Sequence, residues 1–509
     1  MRLKKLCALF LALAVMLSLC ACWAEEEKTD DFWNEDVPLE EDASQQAARI
    51  SAFALPYLSG QTLDPVTCAD GIQQTVGALL YEGLFALDGS FAVQNVLCRD
   101  YTYDAAKRTY TFFLHENVTF SDGSLLSAAD VLSAYRRAAA SDRYAARFAN
   151  VASMYTANGA LVITLTKENS AFPALLDIPV VKSGSEQNLV PLGTGPYLFL
   201  TDNEGACLAR NGEWWRSAAL PLERIALVPA RDNSTASYLF SSYGTHLLVS
   251  DLTATGADGS FGESDVFDAV GTAMLYLGFN TRRAPLDSST LRCAMSAAFD
   301  RAAIASTLLS GHARSAQLPI PPCAALHPDD LSAPAIAYAQ ALSGERITDA
   351  HPVELTLLVN EEGSFKLSVA EHLCRQLSVG ALTVTLRAVP WETYSAALRS
   401  GDFDLYLAET RLTADWDTAP LIGTGGALNY GGYTDAETDR LLAAFLADEN
   451  ESTAQAYFRQ LAASAPIAPI CFKSVSTLIP VGLAEGLTPT AQNPFYGFEG
   501  WTFHLDAQP

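Results

Sequence analysis

The chain has 509 residues, of which 49% are hydrophobic and 18% are charged. This composition supplies enough apolar material for packed cores, excludes an intrinsically disordered chain and leaves room for roughly two to four domains. Acidic residues outnumber basic ones by 58 to 32, which gives a formal net charge of −26. A surface of that sign repels phosphates, so the composition argues against nucleic acid as a partner.

The first residues predict a secretory signal. A positively charged start precedes the apolar run Leu6–Leu19, which is shorter than the about 20 residues that span a bilayer. The run ends in Leu19-Cys20-Ala21-Cys22, which resembles the bacterial lipobox. The resemblance implies a signal peptide over residues 1–21, cleavage before Cys22 and a lipid anchor on the Cys22 sulfur. The alternative is an ordinary signal peptide with a bystander cysteine.

Residues 22–50 are predicted to comprise the lipidated cysteine and an acidic tether. Between positions 24 and 42 the charged side chains are acidic except for Lys28. Such a run repels itself and stays extended, so it indicates a spacer that holds a folded body away from the membrane.

The body begins as a mixture of strands and helices. Alternating apolar side chains predict strands over Tyr110–Leu114 and Leu161–Leu165. Between them, Ser127-Ala-Ala-Asp130 resembles a capping box, and apolar residues at helical spacing follow it. The body is therefore expected to be of the α/β class.

A regular alternation of strands and helices follows in the second half of the chain. Strands are predicted over Val353–Asn360, Leu382–Val389 and Phe403–Glu409, and helices over Phe365–Leu377 and Trp391–Ser400. This order implies a parallel sheet with helices on its faces. Ligands bind beyond the carboxyl ends of such strands, so residues 410–430 are the segment in which to expect a site.

One further helix is predicted shortly after that segment. Thr434-Asp-Ala-Glu437 has the pattern of a capping box with Thr434 as the first residue. The apolar residues that follow at helical spacing supply a face for packing.

Sequence motifs of catalysis are absent. None of the seven histidines belongs to an H-E-x-x-H motif or stands at zinc spacing from cysteines, and the chain has neither a G-x-S-x-G turn nor a P-loop. Residue types alone therefore do not support an enzyme, and no metal or cofactor is expected.

Several short motifs occur in a fixed order along the body. They are Leu63-Asp64-Pro65, Tyr81-Glu-Gly-Leu84, the run from Tyr110 through Ser127-Ala-Ala-Asp130 to Arg137, Gly193-Thr-Gly-Pro-Tyr197, and the segments between Leu277 and Arg301. In this order the chain resembles the extracellular solute-binding proteins of family 5, the dipeptide and oligopeptide receptors of ABC importers.

The resemblance implies a two-lobed clamp of the periplasmic-binding-protein type. The implied clamp is of the type II, large peptide-binding class with an extra subdomain, and is expected to have mixed sheets with flanking helices. Lobe I is expected over residues 51–275 plus 481–509, with the subdomain at about 81–188. Lobe II is expected over residues 276–480, and ligand closes the lobes like a hinge.

The resemblance also implies site residues in the loop after the third strand. In peptide-binding members an Asp there holds the ammonium of the peptide, and Asp415 takes its place. Trp416 could supply a wall of the site, and Asp417 could assist or cap a turn. The alternative for Asp415 is a loop carboxylate that bonds its own backbone. Asn429 and Tyr430 are further candidates for lining the cleft.

The chain departs from the family pattern near Asp415. Leu412 stands where the family commonly has Trp, and Arg411 beside it could meet a ligand carboxylate or be solvated. The loop 66–72, which faces the ligand in the family, offers Asp70 and Gly71. Because other members carry nickel chelates, sugars or opines, the departure leaves the ligand class open.

Together these features predict a monomeric, lipid-anchored solute receptor of an ABC importer, without catalytic activity. It would capture a peptide or a related small solute and deliver it to permease subunits at the membrane. A single lipobox and a long acidic tether favour the extracytoplasmic surface of a Gram-positive-type cell. The alternatives are a surface peptide receptor or chaperone that feeds no importer, and a secreted hydrolase.

Overall fold

The computed structural model of the chain describes residues 50–253, 261–328, 331 and 337–506. The predicted signal peptide, Cys22 and the tether up to residue 49 lie outside the described residues. The strands of the described part are β1 Ala54–Leu58, β2 Phe85–Leu87, β3 Val93–Asn95, β4 Cys98–Asp104, β5 Thr109–Leu114, β6 Val151–Ala157, β7 Ala160–Leu165, β8 Tyr197–Asp202, β9 Gly205–Arg210, β10 Arg224–Ala230, β11 Leu248–Ser250, β12 Ser264–Phe279, β13 Ala313–Ser315, β14 Val353–Asn360, β15 Leu382–Val389, β16 Leu405–Arg411, β17 Ile467–Pro480, β18 Ala484–Glu485 and β19 Thr502–Phe503.

The helices of the same residues lie mostly in the second half of the chain. They are α1 Gly71–Gly77, α2 Ala128–Ala139, α3 Asn233–Ser241, α4 Ser289–Ala298, α5 Arg301–Ala303, α6 Tyr338–Gly344, α7 Ser364–Leu377, α8 Trp391–Ser400, α9 Ala419–Ile422, α10 Ala436–Ala447 and α11 Glu451–Ser464. Single turns of 3-10 helix occur at Ala145–Phe148, Phe172–Leu175 and Phe498–Gly500, and a π-helical turn occurs at Ile304–Leu308.

The predicted parallel unit is confirmed. Strand β14 pairs in parallel with β15 along its whole length, from Val353 opposite Leu382 to Asn360 opposite Val389, and also in parallel with β16. The third strand begins at Leu405, two residues after the predicted start. The reason is that the carbonyl of Phe403 accepts from the side chain of Asn280 at 2.9 Å instead of joining the ladder.

Two long antiparallel strands complete this sheet and extend beyond it. The sheet order is β11-β17-β12-β16-β14-β15, with β13 also paired to β17. Strands β12 and β17 pair from Ser264 opposite Pro480 to Gly278 opposite Ile467, with a register shift between Val270 and Met274. One end of this ribbon packs into the core around Phe53 and the other into the core of the parallel unit.

The first half of the chain builds two smaller sheets. One has the order β1-β10-β9-β8, and the other is the antiparallel sheet β4-β5-β7-β6, which contains both strands predicted in this region. Helix α2 starts as predicted at Ser127, whose backbone N–H and hydroxyl both donate to the Asp130 carboxylate. Its buried face, including Val131 and Tyr135, packs on the antiparallel sheet.

The predicted first residue of helix α10 is wrong by one position. Asp435, not Thr434, is the N-cap, because its carboxylate accepts from the backbone N–H groups of Glu437 and Thr438 at 3.4 and 3.1 Å. A carboxylate at this position also interacts favourably with the helix dipole. The lobe boundaries at 275/276 and 480/481 stay a prediction; residue 275 lies within β12.

A buried arginine joins α4 to the end of α11. The guanidinium of Arg292 donates to four backbone carbonyls, those of Ala465 and Ser464 at 2.9 and 2.6 Å and those of Leu286 and Asp287 at 2.8 and 2.9 Å. The residue is 3% exposed. We expect Arg292→Lys to lower the free energy of unfolding by about 3 kcal/mol, because an ammonium cannot present the planar fork that satisfies these carbonyls.

Urea denaturation of the variant would measure this loss. Arg375→Lys, a matched change at an exposed position of α7, is the control and should leave stability within about 0.5 kcal/mol of the parent. Equal stability of the two variants would contradict the proposed role of the Arg292 fork.

Candidate ligand-binding cleft

A cavity of about 470 Å³ lies between the two halves of the body. One wall is formed by the loop before α1, by α1 itself and by the turn around Tyr144; the other is formed by residues 411–414, which are the last residue of β16 and the three residues after it. The floor comes from residues 271–273 of β12 and 473–475 of β17. The carboxyl end of a parallel strand therefore borders the cavity, as expected for this type of sheet.

The cleft contains two groups of charged side chains, and within each group the positive and negative charges balance. The ammonium of Lys473 lies 2.5 Å from a carboxylate oxygen of Asp251 and 3.8 Å from one of Glu409. Lys366, just outside the lining, lies 3.7 Å from the other oxygen of Glu409. On the opposite wall Arg147 forms an ion pair with Asp177.

Two arginines of the cleft have no acidic partner among the described residues. Arg143 donates to the carbonyl of Cys68 at 3.0 Å and to the amide oxygen of Gln74 at 2.8 Å. Arg411 is exposed at the end of β16, and within the described part of the chain its guanidinium makes no hydrogen bond. Of the residues proposed from the sequence as site residues, Arg411 is the one that lines this cavity.

Asp415 lies behind the wall of the cleft. Its side chain is 3% exposed, and one oxygen accepts from the amide of Asn169 at 2.7 Å. Asn169 belongs to the loop after β7, so this hydrogen bond joins the two halves of the body. The other oxygen faces the backbone N–H of Asp417 at 3.4 Å, a weak form of the local bond considered as the alternative.

Trp416 and Asp417 have different neighbours. Trp416 has a positive φ of 53° and packs edge-on against Phe91, with ring centroids 5.1 Å apart. It lines a second cavity of about 220 Å³, to which Ala414 also contributes. Asp417 caps a turn, since its carboxylate accepts from the backbone N–H of Ala419 at 2.9 Å. Burial raises the pKa of Asp417.

The remaining predicted residues have local roles in this structure. The amide of Asn429 donates to the carbonyl of Tyr433 at 2.7 Å, and its oxygen accepts from the Tyr433 N–H, which closes their loop. The ring of Tyr430 packs against Tyr406. Asp70 is the N-cap of α1, and Gly71 is the exposed first residue of that helix.

Several polar residues of the cleft were not predicted from the sequence. Arg143, Gln73 and Gln74 lie in segments without a distinctive pattern, so no local signal could have selected them. Lys473 is the exception, because a local signal was present: it interrupts the apolar strand β17, and a lysine in such a strand requires an acidic partner. In the structure it is 7% exposed.

Contacts around Glu449 also join the two halves of the body. The backbone N–H of Ser170 donates to the carbonyl of Leu446 at 2.7 Å, and the N–H of Glu449 donates to the Ser170 hydroxyl at 2.8 Å. The Glu449 carboxyl borders the smaller cavity. Burial, reinforced by the negative charge of Asp415, raises the pKa of Glu449 to about 7.

The chain matches the model of a known protein family. The model of the bacterial extracellular solute-binding proteins, family 5 Middle, matches residues 92–428, more than half of the chain. The chain therefore belongs to this family, as the ordered motifs indicated.

Curated relatives match part of the chain. The glutathione-binding protein GsiB of Salmonella typhi is 28% identical over 296 residues, which cover 55% of this chain and 56% of the relative. GsiB of Pectobacterium atrosepticum is 29% identical over 279 residues, covering 51% and 54% respectively. The chain thus spans about half the length of the curated relatives it matches.

Solved structures show the same fold over most of the chain. The periplasmic murein tripeptide binding protein MppA, in an unliganded open form, has a TM-score of 0.74 at 19% identity and covers 89% of this chain and 98% of its own. HbpA2 from Haemophilus parasuis has a TM-score of 0.74 at 18% identity, with 89% and 100% covered. The predicted α/β, two-lobed binding-protein fold is confirmed.

Two other kinds of feature are missing from the described residues. No helix within residues 50–253, 261–328 and 337–506 combines the length and apolarity needed to cross a membrane. In the same part of the chain, no three His, Cys, Asp or Glu side chains are grouped so that they could hold a metal ion.

The raised pKa of Glu449 predicts a pH-dependent stability. Between the ordinary glutamate pKa of 4.5 and about 7, the folded protein keeps a proton that the unfolded chain has released. The contribution of Glu449 to stability is therefore present below pH 4.5 and is lost as the pH rises through 7. We expect Glu449→Gln to stabilise the protein at pH 8, by at most about 3 kcal/mol, and to change stability little at pH 4.5.

Denaturant unfolding of the parent and the variant at both pH values would measure the difference. Glu371→Gln, an exposed acid on α7, is the control and should show no difference between the two pH values. A Glu449→Gln effect that is the same at both pH values would contradict the assignment.

Proposed function

We propose that the protein is the solute-binding component of an ABC importer, and that it captures a peptide or a related small solute in the interlobe cleft. The observation that carries this proposal is the cavity of about 470 Å³, which both walls and the β12–β17 ribbon line together. Its volume is in the range of small-ligand sites. The captured solute would then be delivered to permease subunits.

The names of similar proteins support a peptide as the solute. The relatives are named as glutathione-binding, and one similar structure is named as murein tripeptide-binding. Another, AppA from Bacillus subtilis, is described in complex with a nonapeptide. Peptides have an ammonium, carboxylates and amides, and the cleft presents charged and amide side chains that can pair with such groups.

Asp415 is the proposed partner of the ligand ammonium. It is a buried carboxylate with no cation at ion-pair distance among the described residues, since Arg147 acts on it only from further away, and one of its oxygens has only a contact of 3.4 Å to a backbone N–H. A buried charge is costly unless it is paired and fully hydrogen-bonded. An ammonium that replaced the Asn169 amide would supply the missing charge. Trp416 would then form the wall beside it.

We also propose, from the sequence, how the protein is attached to the membrane. A lipid on Cys22 would anchor a monomer at the extracytoplasmic face of the membrane, and the acidic tether would hold the body within reach of the permease. The arrangement calls for no catalytic step, because the work of the protein is capture, closure and release.

Native mass spectrometry would test the proposed function. The chain from Trp23 onward, purified gently, should carry adducts with peptide masses that are released intact on denaturation. A single adduct that is not a peptide would move the function to another solute class. Ligand recovered as cleavage products would contradict a receptor and favour the hydrolase. If no adduct is found and a peptide library causes no thermal shift, the peptide proposal is wrong.

The role of Asp415 can be tested by a change that removes only its charge. We expect Asp415→Asn to weaken the binding of a peptide identified in this way by about tenfold or more, the loss of one charge-assisted hydrogen bond. Isothermal titration calorimetry would measure the affinity. An N-acetylated form of the same peptide should bind both proteins about equally.

Asp417→Asn is the matched control for that variant. It lies two residues away and keeps an acceptor for the N–H of Ala419, so its affinity should stay within about twofold of the parent. Unchanged peptide affinity in Asp415→Asn would remove Asp415 from the binding site.

A further inference from the structure

The charges that line the cleft are not balanced. Lys473, Asp251 and Glu409 form one group that Lys366 completes, and Arg147 and Asp177 form a second. Each group contains as many acids as cations. The positive charges of Arg143 and Arg411 remain without an acidic partner among the described residues that line this cavity.

Arg143 is held in place by neutral groups. Its two terminal nitrogens donate to the Cys68 carbonyl and to the Gln74 amide oxygen, and its guanidinium lies 5.0 Å from the centre of the Tyr144 ring. These contacts orient the guanidinium and leave its charge uncompensated. The remaining donors of a guanidinium form a fork that matches a carboxylate.

Arg411 lies on the opposite wall. Its backbone is fixed, because it pairs with Ala273 of β12 and the next residue, Leu412, donates to the carbonyl of Thr272 at 3.0 Å. Its side chain is exposed, and no hydrogen bond within the described residues commits the guanidinium. The cleft thus presents, from each wall, one guanidinium whose charge has no acidic partner among the described residues.

This arrangement is unexpected for so acidic a chain. The formal net charge is −26, so a general excess of basic residues cannot explain two uncompensated arginines in one cavity. Two guanidiniums that share a cavity repel each other, and an anion between them removes that repulsion and gains charge-assisted hydrogen bonds from both.

From this charge arrangement we infer that the cleft selects peptides with at least two carboxylates, one bound by Arg143 and the other by Arg411. The inference rests on the proposed function and names the class of its ligand: a short acidic peptide, whose C-terminal carboxylate and acidic side chain would bind the two walls. Ala414 borders both cavities and lies between Arg411, which lines the larger one, and the buried Asp415. A ligand whose ammonium reached Asp415 as proposed above would therefore meet both charges along this loop.

The test uses the synthetic tripeptides Ala-Glu-Ala, Ala-Gln-Ala and Ala-Lys-Ala, with affinities measured by calorimetry on the chain from Trp23 onward. We expect Ala-Glu-Ala to bind at least about tenfold more tightly than Ala-Gln-Ala, and Ala-Lys-Ala to bind most weakly. The preference should shrink at high salt, because the two arginines are partly exposed. Amidation of the C-terminus of Ala-Glu-Ala should reduce its affinity to a similar extent.

Two variants connect the preference to the two residues. Arg143→Gln and Arg411→Gln should each reduce the ratio between Ala-Glu-Ala and Ala-Gln-Ala to about threefold or less, with unchanged melting temperatures. Arg143→Lys should keep most of the preference, because it keeps the charge. Arg399→Gln, at an exposed position of α8 outside the cleft, is the matched control and should leave the ratio unchanged.

The outcomes separate the inference from the proposed function. Equal affinities for the three tripeptides would overturn the inference and leave a peptide receptor in place, and so would a preference that both Gln variants retain. If no tripeptide binds at about 1 mM while glutarate binds and depends on both arginines, the two-carboxylate site is supported and the peptide function is wrong. If neither binds, both are wrong.

Discussion

The pairing of β12 with β17 is the interaction on which the rest of the structure depends. The chain passes from the first half of the body to the second along β12 and returns along β17, so every change in the angle between the halves must be accommodated in this ribbon. The ladder is irregular between Val270 and Met274, and the residues of β12 within that irregularity, 271–273, form the floor of the cleft together with residues 473–475 of β17. The cavity therefore lies where the backbone pairing is irregular, and a ligand bound there as proposed would contact the connecting strands as well as both walls.

The parallel unit could be predicted from the sequence because its signals are local. Strands β14 and β15 have the predicted bounds, since period-two alternation and apolar runs determine where a buried strand begins and ends. The start of β16 could not be predicted, because the side chain that occupies the Phe403 carbonyl, Asn280, is 123 residues away in the chain. Likewise the N-cap of α10 could be either of the adjacent residues Thr434 and Asp435, because Thr and Asp differ little in their preference for the N-cap position.

The site was harder to predict than the fold for the same physical reason. The strand order and the family resemblance pointed to the loop after β16, part of which lines the cavity, but they could not show that Asn169, 246 residues away, bonds the carboxylate of Asp415. Nor does any pattern around Arg143 reveal that its hydrogen-bond partners are neutral and its charge uncompensated. Which charges of a site are free depends on contacts between distant segments, and a single sequence records those contacts least directly.

The hydrogen bond between Asn169 and Asp415 has a consequence for the proposed binding of a ligand ammonium. The Asn169 amide bonds the carboxylate oxygen that a ligand ammonium is proposed to take, so the chain itself supplies a competitor at a very high effective concentration. A solute gains net affinity only if its hydrogen bond to the Asp415 carboxylate is stronger than that of the amide. A neutral donor forms a bond of similar strength, whereas a charged donor forms a stronger one. If Asp415 binds the ligand as proposed, the protein would thus reject weak neutral solutes without any steric barrier, because its own amide occupies the acceptor.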